Sequence, residues 1–195
     1  MATLDIAGLT VRDRVGIPDV VEALVREFLA VPGADPALFA RITLSPKRVG
    51  VVHGKCRYPR SATGKGPGRE LERQGYILTA AVRTDPEAYP CGLGHWGAVR
   101  ASKTKQGWRS APVVYAFNAM PPAAGFVLAH ELAHVALRQK WVRVKNTEAV
   151  TNALALHWCA RAGLHVEVRT TRRRDRLVPP GEVLGLERPR QLWLW

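Results

Sequence analysis

His130-Glu131-Leu132-Ala133-His134 sets two imidazoles four residues apart, with a carboxylate directly after the first. On a helix, residues four apart stack on one face, so both rings can aim a nitrogen at a single metal ion. Glu131 then sits about 100° further round the axis. That offset suits a group that takes a proton from a water rather than one that binds the metal. The chemistry expected of this spacing is hydrolysis assisted by a divalent ion, zinc above all, with Glu131 as general base.

Zinc in a catalytic site takes three protein ligands and leaves its fourth position to water. After Glu131 the next acidic residue is Glu148, fourteen positions beyond His134. It opens a second helical stretch, Asn146 to Leu156, with Asn146 or Thr147 as N-cap. Glu148 is the expected third ligand. Asn152 shares its face four residues on and is expected to hold a ligand histidine in its tautomer. His157 is a rival ligand, but nine residues of helix, about 900°, place it on the opposite face from Glu148. His165, after Gly163 and outside the helix, is a second rival. Tyr115, His157 and His165 are the candidate donors to an oxyanion.

These side chains need elements to hold them. Pro121-Pro122 marks a helix start, and the segment from Pro122 to about Gln139 has few polar residues outside the motif. His130, Glu131 and His134 would therefore be buried together, where unpaired polar groups are costly. Earlier, Ile17-Pro18-Asp19 leads into a helix with apolar residues at 20, 21, 24, 25, 28 and 29. Pro36 opens a short helical piece, Ala37 to Ala40. Arg41 to Ser45, Arg48 to Val52, Gly75 to Val82, Ala111 to Phe117 and Leu164 to Val168 read as strands. Residues 59–70 are a basic, glycine-rich loop whose Thr63-Gly64-Lys65-Gly66 lacks the Walker spacing, and Thr84 to Trp108 reads as a second loop.

The motif from His130 to His134 followed by Glu148-x-x-x-Asn152 resembles the gluzincin branch of the zincin metallopeptidases, in which H-E-x-x-H is commonly followed by E-x-x-x-D. Asn152 stands where many of those have Asp. The order of elements is similar to SprT-like and minigluzincin domains, although the SprT-like family usually has a histidine where Glu148 stands. The run Glu148 to Ala153 also resembles the E-x-x-A-N helix of the ImmA/IrrE peptidases. The resemblance implies an α+β, zincin-like fold: a small mixed sheet, an N-terminal helix, the H-E-x-x-H helix and a second, ligand-bearing helix. It implies a zinc-dependent peptidase acting on a protein or peptide. It also implies that the strand bordering the cleft pairs with an extended substrate, that edge being offered by Ala111 to Phe117 or by the strand before it. SprT-like relatives act on proteins attached to DNA, and the ImmA/IrrE likeness implies a regulatory protease that cuts one repressor.

The 195 residues, 47% of them hydrophobic, are read as one globular domain over 1–170 followed by a basic run and a tail with Pro and Trp over 171–195. No apolar run reaches the roughly 18 residues of a spanning helix, the N-terminus lacks a secretory layout, and three cysteines do not make a disulfide scaffold. A cytoplasmic protein is expected. The net charge is +13, and between Ala88 and Thr147 Glu131 is the lone acid among eight Lys or Arg residues. Such a surround draws in acidic protein segments or nucleic acid. The rival class is therefore a basic, nucleic-acid-associated protein whose zinc site is structural. His53-x-x-Cys56 and Cys91-x-x-x-His95 have the spacing of a second, structural zinc site. Cys159 reads as a small core residue. Arg169 to Arg176 forms a basic run, and Trp193 and Trp195 are expected to fold back on the domain or meet a partner.

Overall fold

The computed structural model describes residues 2–48, 52–59, 75–97 and 111–170. The chain begins with a hairpin, β1 (Ala2–Ile6) and β2 (Leu9–Asp13), whose two-residue turn puts Ala7 and Gly8 at φ 49° and 86°. Positive φ at both positions matches the right-handed twist of the flanking strands. Asp5 Oδ1 accepts the Gly8 N–H at 3.0 Å and closes the turn. Neither strand was expected from the sequence: each is only five residues long, and Ala-Gly is a weak hairpin signal beside Asn-Gly or Asp-Gly.

From β2 the chain enters α1 (Pro18–Leu29), which buries Val21, Leu24, Val25 and Phe28, the stripe expected from the helical period. The entry is shaped by Asp13, a carboxylate with no exposed surface. It accepts the N–H groups of Val15 (2.8 Å), Gly16 (2.9 Å) and Ile17 (2.7 Å). A one-turn 3₁₀ helix, Pro36–Leu38, replaces the helical piece expected to reach Ala40. β3 (Phe39–Pro46) and β5 (Tyr76–Val82) are the central strands, and β4 (Val52–Arg57) lies outside β5. Of the strand expected over Arg48 to Val52, Val52 lies in β4, and residues 49–51 are outside the described residues. The sheet order is β1-β2-β3-β5-β4, with β2–β3 and β3–β5 parallel and β1–β2 and β4–β5 antiparallel.

One face of this sheet, carrying Leu9, Val11, Ile42, Leu44, Tyr76, Leu78, Ala80 and Val82, is buried. A second, antiparallel sheet has the order β6 (Cys91–Gly97), β7 (Ala111–Phe117), β8 (Glu167–Thr170), so the expected loop from Thr84 contains a strand. α2 (Met120–Arg138) packs against β5 and β4, and α3 (Glu148–Arg161) packs against α2 and α1. Phe28 ties the helices to the sheet through edge-on contacts with Phe39 (5.5 Å) and Trp158 (5.8 Å). Among the described residues the architecture is mixed α+β, a five-stranded mixed sheet and a three-stranded one with three α-helices. The expectation about the edge beside the H-E-x-x-H helix needs correction. β5 is flanked by β3 and β4, and β7 by β6 and β8, so among the described residues the edge strand packed on α2 is β4.

Candidate metal centre

α2 is buried from Ala123 to Leu137 except at His134, because its sequence is apolar all round. His130, Glu131 and His134 therefore stand in a rigid, packed setting. α3 begins at Glu148, capped by Thr147, whose hydroxyl accepts the Val150 N–H at 3.3 Å. Of the two N-cap alternatives, Thr147 is the one used. That start directs Glu148 at the two histidines: Oε2 lies 3.6 Å from His130 Nε2 and Oε1 lies 3.8 Å from His134 Nε2. One ligand atom from each of the three residues falls within 4.8 Å of the others. Tetrahedral zinc with bonds of about 2.0 Å needs its donors roughly 3.3 Å apart, so the three would have to draw together round an ion. His130, His134 and Glu148 can hold a metal ion. Side-chain exposure climbs from 11% at His130 through 18% at His134 to 44% at Glu148, leaving one side of the cluster toward water.

Asn152 is where the sequence places it, one turn after Glu148 and buried, with Oδ1 2.8 Å from His130 Nδ1. An amide oxygen only accepts, so Nδ1 carries the proton and Nε2 offers its lone pair to the cluster. Tyr115 is also buried beside Asn152, and its ring stacks on Phe126 at 4.7 Å. Burial pushes its hydroxyl up to about 12, with the Asn152 side chain acting in the opposite direction. His157 is half-buried toward the C-terminal end of α3, its pKa lowered by burial and by Arg161 against the opposing Glu27. His165 is exposed in the turn after α3. Neither joins the group at Glu148.

Glu131 is 5% exposed. Burial first, and the neighbouring Glu148 second, raise its pKa from 4.5 to about 8. Its carboxylate lies against Gly54 of β4, a contact absent from the sequence reading. A carboxyl with a raised folded pKa keeps a proton that the unfolded chain has lost, so its contribution to stability falls as pH rises between the two values. Metal-free wild type is expected to lose stability relative to Glu131→Gln as pH climbs from 4.5 to 8. Parallel stability–pH curves for the two proteins would show that Glu131 holds no such proton.

The second zinc site expected from His53, Cys56, Cys91 and His95 is not assembled on β4. Residues three apart on a strand face opposite ways. His53 is exposed on the outer face, whereas Cys56 is half-buried on the face toward α2. Cys91 and His95 lie on β6 in the other sheet, and the His95 side chain is outside the described residues. Burial raises both thiols, Cys56 to about 12. Cys159 is a core residue, as expected. The basic loop over 59–70, most of the basic run from Arg169, and the tail with Trp193 and Trp195 lie outside the described residues apart from the ends of the adjoining strands.

Comparison of the chain with family models, with curated proteins and with solved structures finds no match in any of the three. Among the described residues no helix is long and apolar enough to cross a membrane.

Proposed function

We propose that this chain is a zinc-dependent peptidase with a zincin-like fold. The observation that carries the reading is the convergence of His130, His134 and Glu148 beside a buried Glu131. Two imidazoles and one carboxylate, with water-facing space left over, are the donor set of a catalytic zinc site rather than a closed structural one. Zinc, when bound, supplies the Lewis acidity that makes a water acidic near neutral pH and polarises a carbonyl. His130 and His134 would hold the ion through Nε2 and Glu148 through its carboxylate, while Asn152 keeps His130 in the tautomer whose Nε2 carries no proton. Glu131 is ionised next to a cation despite its burial, since an opposite charge favours the charged form. Its carboxylate then receives the proton of the attacking water and delivers it to the leaving amine nitrogen. The substrate class is a protein or peptide segment.

Zinc titration with a peptide-hydrolysis assay tests this. Wild type should bind one zinc per chain and cleave peptides, with both lost to a chelator. Glu148→Ala should weaken zinc binding by 100-fold or more, on the order of the loss of one ligand to a catalytic ion. Full-affinity zinc binding by Glu148→Ala would overturn the ligand set.

A nucleic-acid partner has its own support. The outward row of β4 (His53, Lys55 and Arg57) is exposed, as is Arg41 on the same face of the sheet. This second reading expects affinity for duplex DNA to fall steeply with salt and peptide cleavage to rise when DNA is added. Salt-insensitive binding would remove it.

A further inference from the structure

We infer that Gly54 is a positioning residue for Glu131: the missing side chain in β4 makes the space in which the carboxylate lies. The inward row of β4, Val52, Gly54 and Cys56, continues to Tyr58 just past its end, and this row lies along α2. Tyr58 sits under the Arg138 guanidinium, 4.1 Å from ring centre to carbon. Gly54 is opposite Val127 and Glu131. Strand and helix therefore run in the same direction, and the one residue of this row without a side chain faces the one carboxylate of α2.

A Cβ added at Gly54 would overlap a carboxylate oxygen of Glu131, with the Glu131 Cδ at 2.9 Å and Val127 Cγ1 at 3.1 Å. Backbone conformation does not call for glycine, because Gly54 is not among the positive-φ glycines. Glycine in a strand interior weakens the strand and commonly marks a close approach. Here the close approach is the carboxylate. β4 is held by its ladder to β5, with Gly54 opposite Ala80, and α2 is buried, so neither backbone can yield cheaply. The Glu131 side chain is what must move. It would swing out of the place from which it faces the cluster formed by His130, His134 and Glu148.

The test is a double-mutant cycle on the metal-free protein followed by assays of the zinc-loaded one. Gly54→Ala should lower Tm by roughly 5 °C when Glu131 is present. In the Glu131→Ala background the same substitution should cost far less, because the new methyl enters space the carboxylate has vacated and only the Val127 contact remains. Should Gly54→Ala fail to fold alone, recovery of a folded protein in the double variant is the same coupling. An equal loss in both backgrounds, or a double variant that fails to fold while Glu131→Ala folds, overturns the inference. The second arm rests on the peptidase reading. Zinc-loaded Gly54→Ala should keep one zinc per chain while hydrolysis falls about 100-fold. Loss of zinc from that variant would show that the disturbance reaches the histidines, and would overturn the assignment to Glu131. Absence of hydrolysis in wild type defeats the peptidase reading alone, and the stability cycle still decides Gly54.

Discussion

Glu131→Gln is expected to keep one zinc per chain while peptide hydrolysis falls about 10²- to 10⁴-fold, the usual share of a positioned general base. The substitution changes little in volume, so the amide fits the space over Gly54 that the carboxylate occupies. The ligands are unaffected, because His130, His134 and Glu148 form the cluster without it. What is lost is the ability to accept a proton. In the metal-free protein the raised pKa makes neutral Gln a close stand-in for the protonated acid, so folding is expected to be preserved or improved. Zinc content and turnover measured on one preparation separate the two effects. Wild-type turnover in Glu131→Gln would show that another group moves the proton.

The second large effect concerns folding. Asp13→Ala is expected to destabilise the protein by about 3–5 kcal/mol, since it strips acceptors from three backbone N–H groups at once. The carboxylate has no exposed surface, so water cannot replace it without opening the turn between β2 and α1. α1 also has no side-chain N-cap of its own; the Asp13 bond to the Ile17 N–H is what finishes its start. Asp13→Asn keeps one accepting oxygen and should fall between alanine and wild type. Urea unfolding with an unchanged m-value would assign the loss to the native state. A loss below about 1 kcal/mol for Asp13→Ala would mean the turn finds other partners.

The metal cluster was legible because its parts are local. Helical spacing fixes His130 against His134, and Glu148 against Asn152, and the two helices are long and apolar enough to be read. The same rotation argument set His157 apart from Glu148, and the structure keeps it out of the cluster. What escaped depends on neighbours distant in sequence. Nothing near Gly54 announces that it will face a carboxylate 77 residues later. Asp13 looks like any polar residue at the end of a short strand until its three donors close round it. The order β3-β5-β4 puts the earlier strand at the edge, a choice of pairing that periodicity does not encode. Alternation along a strand matters in the same way for His53-x-x-Cys56: its spacing resembles half a zinc knuckle, but on β4 it splits His53 from Cys56.

The rise in exposure from His130 to Glu148 sets a direction for ligand exchange. For an ion held as proposed, a competing chelator would reach Glu148 before either imidazole, and His130, fastened by Asn152, would be the last to let go. Stripping the ion should therefore be fast for small anionic chelators, which can replace a carboxylate from the water side, and slow for bulky ones that must also reach the less exposed rings of His134 and His130.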